Sequence, residues 1–382
     1  MDGKRKWQFS LRDLMVILTL AAILLGISLP ALQQAREVAR RIQCINNVKE
    51  ISVACLNYES TFGSFPVAAL SCQDSSWIST GIENGNTCQG PNWAQQLLGF
   101  MGENLAYLQT AKCMEDFYSA CDDCDSGKLN VNSQTPQFMI CPSSAVGPKL
   151  HESPVTALEN LSKGNYAATL GSGFYNQSIE LNRFVDTQLG AGIDAAKKTR
   201  GVIVVRGSED ILRRRLEVFD CDLRSRSMWK FAHGRGTKLS GIHDGISKTI
   251  LISEVLPYDG DPASKTTVSE DIRGVWASVS MGASTYSHYT TPNYDGADPN
   301  LKDTINGCDS SIPKSDPLAC ILKTGNKFDV GSTFAAARSM HPGGVVAARA
   351  DGSARFYPNS VERKIWQALA TRSGGETEPT IE

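Results

Sequence analysis

The chain has 382 residues, 41% of them hydrophobic, and a formal net charge of −2. This is enough apolar material for one large or two smaller globular units. With 38 basic against 40 acidic residues, it lacks the basic excess of a dedicated nucleic-acid binder, so no nucleic-acid partner is expected.

Residues Leu14 to Ala35 carry no charge, a run of 22. As a helix this run is about 30 Å long, the thickness of a bilayer's hydrocarbon core, so a lipid bilayer is the first expected partner. No small-residue cleavage site follows it, so it reads as a retained span and not as a removed signal peptide. Apolar residues continue at Val38, Ala39, Ile42, Ile45, Val48, Ile51, Cys55 and Tyr58. Those steps of three or four keep one helix face apolar. The pattern predicts one helix over residues 10–58, with residues 9–35 as its transmembrane half and 36–58 as its amphipathic half. Flanking charge does not orient the span: Lys4, Arg5, Lys6 and Arg12 precede it, and Arg36, Arg40, Arg41 and Lys49 follow. Asp13, beside Arg12 at the edge of the run, must be paired or reach the interface.

There are 11 cysteines. In a chain with a membrane anchor, that number indicates an oxidising, extracytoplasmic domain with several disulfides. Cys72 with Cys88, and Cys308 with Cys320, flank local loops and read as staples. The odd total leaves at least one thiol free or intermolecular. A zinc site at Cys113, Cys121, Cys124 and Cys141 is the weaker alternative, because Asp122, Asp123 and Asp125 surround the C-x-x-C pair. No resident metal is assigned.

The remaining elements follow in order. Residues 59–92 read as a loop, and 93–120 as a helix through Trp93, Leu97, Leu98, Leu105, Leu108 and Phe117. Phe138 to Cys141 reads as a short strand that turns at Pro142, and Gly201 to Val205 as another strand. The arginines at 213–215, 224 and 226 read as a solvated face. Asp244 and Gly245 form a turn before an apolar strand, Thr249 to Ser253, which ends at Glu254. Ser247 and Glu254 could be a nucleophile and its base, but no G-x-S-x-G elbow surrounds the serine and no histidine is assignable to it, so the structural reading is favoured. Residues 256–330 read as long surface loops around Trp276 and Tyr286 to Tyr294. Their carboxylates, Asp259, Asp261, Asp295, Asp298 and Asp303, either are simply solvated or hold a structural calcium. Near the C-terminus a β-hairpin is expected. Val345 to Ala350 is one strand, Asp351 and Gly352 form a type I′ turn, and Ser353 to Tyr357 return. His341 orients this hairpin or, less favoured, ligates a metal. Asn359 and Glu362 read as the capping box of a last helix over 361–371. The head domain is then 59–372, with a polar tail at 373–382.

Several of these pieces resemble one family. The basic leader 1–8 before Phe9, Ser10 and Leu11, the acid at Asp13 and a proline at Pro30 resemble the N-terminus of type IV prepilins and type II secretion pseudopilins. Gln8 stands where that family has glycine before its cleavage site. Cys141-Pro142-Ser143, Asn165-Tyr166-Ala167, Asp244-Gly245 with Ser247 and Thr249, and His341 with nine residues between it and Asp351-Gly352 resemble a large bacterial family of unknown function. That family has a prepilin-type helix and an H-x9-D-G element associated with processing. The resemblance implies an α+β, pilin-like fold, in which a long N-terminal helix packs on an antiparallel sheet with disulfide-bearing loops. It implies cleavage between Gln8 and Phe9 by a prepilin peptidase, methylation of Phe9, an assembly charge at Asp13 and a helix kink at Pro30. Its partners would be copies of itself or other pilin-like subunits, at the bacterial inner membrane with the C-terminal domain outside the cytoplasm. No P-loop, zinc-protease motif or dinucleotide fingerprint occurs, so neither catalysis nor a cofactor is expected. The alternative reading is a permanently anchored surface protein, never polymerised, that binds polysaccharide through Trp77, Trp276 and the loop tyrosines.

Overall fold

The computed structural model describes residues 11–71, 91–116, 130–144, 149–153, 158–176, 183–185, 199–207, 233–260, 268–305 without 279, 296 and 297, 307–322 without 310, and 333–375. The leader, Trp77, Cys72 and Cys88, Cys121 and Cys124, Asp261, the arginine run and the last seven positions of the tail lie outside these residues.

Helix α1 runs unbroken from Leu11 to Phe62 and passes through Pro30. Gly63 ends it with φ 74, and its amide donates to the Glu59 carbonyl. Glycine adopts this left-handed cap without a Cβ penalty. The helix has two environments. Leu14 to Leu32 are exposed, Leu24 by 65% and Leu25 by 70%. From Cys44 onward one face is buried, through Val48, Ile51, Ala54, Cys55 and Tyr58. The division falls where the sequence changes from uniformly apolar to periodic. The N-terminal half is therefore long and apolar enough to cross a membrane.

The second half of α1 lies on a five-stranded sheet. Its strands are β1 (Tyr166–Thr169), β2 (Ile250–Glu254), β3 (Thr285–Tyr286), β4 (Gly344–Arg349) and β5 (Ala354–Pro358). Their spatial order is β3-β1-β2-β4-β5. Neighbours are antiparallel except the short edge pair β3 and β1, which is parallel. Chain class and architecture are α+β, as expected. Strand β4 is buried on both faces. Val346 and Ala348 join the core beneath α1, while Val345 and Ala347 join a second core with Tyr286 and Trp366. Alternate residues of a strand point to opposite faces, so β4 feeds both layers. Ser52 of α1 donates to the Arg349 carbonyl at 2.5 Å, which ties helix to strand. The second core is closed by α4 (Arg363–Ala368).

Several expectations are corrected. The region 93–120 is not one helix: α2 (Trp93–Leu97) passes into a 3-10 turn, Gly102 turns left-handed with φ 83, and α3 (Asn104–Asp116) starts afresh. Residues 137–139 form a 3-10 turn, not a strand. Gly201 to Val204 are not a strand either; pairing begins at Val205, opposite Ala69. Helix α4 is shorter than 361–371 and lacks a capping box, because the Asn359 side chain bonds Asn293 instead.

The hairpin joining β4 and β5 is present, but its turn is not type I′. Only Gly352 of the dipeptide has positive φ, at 84. The Gly352 amide donates to Arg349, and the Arg349 amide donates to Ser353. This is a three-residue loop with glycine at the left-handed position. Gly352→Ala is expected to destabilise the head by about 1–2 kcal/mol, since a Cβ there opposes the left-handed backbone. Urea unfolding of the detergent-solubilised protein measures it, and Gly352→Asn should cost less than Gly352→Ala.

Residues 268–305 are not surface loops. Trp276, Tyr286, Asp271 and Arg273 are all within 2% of complete burial. The Trp276 indole donates to the Gln134 carbonyl and Ser162, which removes it as a sugar-stacking face. Polar sequence can be buried here because its charges are paired. Arg273 grips Asp271 through two 2.8 Å bonds, and Arg338 holds Asp303 at 2.7 Å. Three of the carboxylates weighed for calcium have separate partners: Asp259 pairs with Lys163, Asp298 accepts from the Asn300 amide and Asp303 pairs with Arg338.

Candidate functional site

The charged boundary of α1 meets the head at one cluster. Glu37 is two residues past the uncharged run and also pairs with Arg40 at 2.8 Å. Cys44 follows two helical turns on and is disulfide-bonded to Cys141 across 97 residues. Cys141 is placed by the Asn165-Tyr166 segment. The Asn165 side chain accepts from the Cys141 amide at 3.0 Å, and its backbone amide donates to Met139 at 2.7 Å. Tyr166 and the Ile140 carbonyl both bond Asn47 of α1. Two separated sequence motifs thus form one clamp on α1. Cys141 therefore pairs with Cys44 and does not belong to a zinc set with Cys113, Cys121 and Cys124.

Glu254 is the last residue of β2, and His341 stands just before β4. The Glu254 Oε2 accepts from the Val346 amide at 2.8 Å. Its Oε1 lies 3.2 Å from His341 Nε2. The other ring nitrogen, Nδ1, lies 2.7 Å from Glu37 Oε1, which also accepts from Ser143 at 3.1 Å. His341 thus bridges one carboxylate on the helix and one on the sheet. Cys141 Sγ is 3.2 Å from Glu254 Oε1 and 3.7 Å from His341 Nε2. A disulfide sulfur has no proton, so these are packing approaches. Cys44, Cys141, Glu254 and His341 offer metal-ligating atoms that all lie within 4.8 Å of one another.

Burial opposes the charged form of His341, but hydrogen bonds and charge from Glu254 and Glu37 outweigh it and raise its pKa above 6.5. Partial burial likewise opposes the Glu37 carboxylate, and bonds from His341, Arg40 and Ser143 outweigh it and lower its pKa.

The other expected positions play separate parts. Asp13 lies in the first turn of α1, and Gln8 and Phe9 lie outside the described residues. Gly245 turns with φ 98, and Asp244 accepts from Thr371, Gly374 and Gly375, which fastens the C-terminal segment. Asp351 caps the hairpin turn by accepting from Ser353. The two ends of H-x9-D-G therefore separate: Asp351-Gly352 makes the turn, while His341 joins the cluster at the other end of β4. Ser247 is exposed and Glu254 is buried at the far end of β2, so they do not form a nucleophile and base. The Cys308 to Cys320 staple is present. Cys55 is a buried free thiol whose pKa burial raises far above the usual range.

Sequence reasoning missed Glu37, the pairing partner of Cys44, and the role of Glu254. Glu37 and His341 are 304 positions apart, and no local pattern links them.

Residues 33–364 match the family described as a protein of unknown function, DUF1559. The chain belongs to the DUF1559 family. Neither a curated protein nor a solved structure matches it. The DUF1559 match begins at residue 33, so it takes in every residue of the helix–head cluster and leaves out most of the apolar run.

Proposed function

We propose that this DUF1559 protein is a pilin-like structural subunit, stored in the bacterial inner membrane by the first half of α1 and carrying its head outside the cytoplasm. One observation carries the reading: a single unbroken 52-residue helix is bare and apolar in its first half and packed on the sheet in its second. Such a helix can exchange lipid for identical neighbours without unfolding the head. Asp13 would then meet the terminal amine of the next subunit, a pairing that offsets the cost of a carboxylate in hydrocarbon. Disulfides in the described residues suit a head outside the cytoplasm. The subunit performs no catalysis in this reading, and a prepilin peptidase and other pilin-like subunits are its partners.

Two measurements test it. Leu24→Arg places a charge at mid-span, which costs about 2.5–3.5 kcal/mol of insertion. It should move the protein from the membrane fraction to the soluble fraction and leave head unfolding unchanged. Intact mass of the native protein decides processing. A chain starting at N-methylated Phe9 supports assembly; a chain that keeps residues 1–8 sinks it. Gln8 favours the second outcome, and the head would then be a fixed display of an unpolymerised surface-binding protein.

A further inference from the structure

The helix–head cluster has more order than a disulfide requires. Glu254 Oε1, His341 Nε2 and Cys141 Sγ stand 3.2, 3.2 and 3.7 Å apart, and Cys44 Sγ completes a group of four. Ligand atoms around a tetrahedral zinc at about 2.0–2.3 Å lie about 3.3–3.8 Å from each other. Three edges of such a tetrahedron already exist. The covalent sulfur–sulfur bond is too short to be a fourth edge, and the two edges from Cys44 to Glu254 and His341 lie within 4.8 Å.

The surroundings of the cluster match those of a metal site. Histidine ligands commonly donate their second nitrogen to a carboxylate, which fixes the tautomer and aims the first nitrogen at the metal. His341 does this with Glu37 at 2.7 Å, and Ser143 and Arg40 hold Glu37 in turn. Glu254 is held through Oε2 by the Val346 amide, which leaves Oε1 facing the sulfurs. All four ligand residues are buried. The four come from α1, a turn, the end of β2 and the segment before β4, each independently anchored.

We propose that reduction of the Cys44–Cys141 disulfide turns this cluster into a zinc site with ligands Cys44, Cys141, Glu254 and His341. A dithiol reductant supplies two electrons and two protons. The Cys44–Cys141 bond breaks, two thiols form, and the reductant leaves as its own disulfide. Zn2+ then displaces both thiol protons to solvent, together with the Nε2 proton of His341 where the ring is charged. Two thiolates and an imidazole select zinc over calcium or magnesium, which prefer oxygen ligands. The metal keeps α1 tied to the sheet at Cys44 in the reduced chain, so the same four segments stay joined before oxidation and after it.

The test uses the full chain in detergent micelles, reduced with dithiothreitol, desalted without oxygen and titrated with Co2+ and then Zn2+. A tetrahedral site of this kind gives thiolate-to-cobalt charge-transfer absorption that one equivalent of Zn2+ removes. Cys44→Ser with Cys141→Ser should abolish it, while Cys308→Ser with Cys320→Ser should leave it intact. Glu37→Gln keeps all four ligands and should weaken zinc by about ten- to a hundredfold. His341→Ala and Glu254→Gln should change the cobalt spectrum, and circular dichroism of their oxidised forms reports whether the head has folded. No saturable metal, or metal bound equally by the Cys44→Ser, Cys141→Ser protein, overturns the proposal. An unchanged cobalt spectrum in both His341→Ala and Glu254→Gln also overturns it, by assigning the metal to other thiols. None of these outcomes depends on whether the chain polymerises.

Discussion

Replacing Cys44 and Cys141 together by serine should lower the unfolding free energy of the head by about 4 kcal/mol in metal-free buffer. The bond closes a loop with a sequence separation of 97, whereas Cys308 to Cys320 closes one of 12. In the chain-entropy account the stabilisation grows with the logarithm of loop length, so the long bridge should exceed the short one by about 2 kcal/mol. Urea unfolding of the two double-serine proteins, each in detergent, measures both quantities. Equal losses would mean that local strain or packing, not restriction of the unfolded chain, sets the contribution. The long bridge also joins α1 to the turn clamped by Asn165. Its loss should therefore raise hydrogen exchange first in α1 around Cys44, while Val48, Ile51 and Tyr58 still hold the rest of the helix against the sheet.

The second large effect is acid destabilisation from two buried histidines. Burial first, and then the charge of Lys163, lowers the pKa of His151 from 6.5 to about 4. Burial lowers that of His288 to about 3; its ring stacks on Trp366 at 3.8 Å and bonds Tyr286 and the Trp366 carbonyl. Both folded values lie below the unfolded value. The unfolded chain therefore takes up protons first, and stability present above pH 6.5 is lost as pH falls. His341 has a raised folded value, so its contribution is already complete below 6.5. Glu37 has a lowered value, so its contribution is lost only as pH falls below 4.5. Between pH 6.5 and 4.5 both are constant, and the two buried histidines together should cost about 4 kcal/mol. Unfolding midpoints across this window measure the slope, and His288→Gln should remove about half of it. A flat profile would show that both rings take up protons in the folded protein as readily as in the unfolded chain.

The long helix was legible because its signal is local and repeated. An uncharged run followed by three- and four-residue spacing can be read without knowing what lies opposite. Strand β2 and the hairpin were legible for the same reason, as short apolar runs bounded by Asp-Gly turns. The turn type was not, since Asp-Gly suits both a two-residue and a three-residue loop, and the sheet register selects between them. The buried loops around Trp276 misled because a sequence rich in Asp, Gly and Ser normally stays in water. Here Arg273 and Arg338, each within 2.8 Å of its carboxylate partner, neutralise Asp271 and Asp303 inside the core.

The amino-acid sequence by itself determined the membrane-length helix, its packed continuation and the short Cys308 to Cys320 staple. Each depends on neighbours within a few turns or a dozen residues. Only the tertiary structure decided that Cys44 meets Cys141 and that His341 stands between Glu37 and Glu254. Those groups come from four chain segments, and their meeting depends on strand order and on where α1 crosses the sheet. Spacing along the chain carries no record of that crossing, because contacts between distant segments are set by how faces pack in three dimensions.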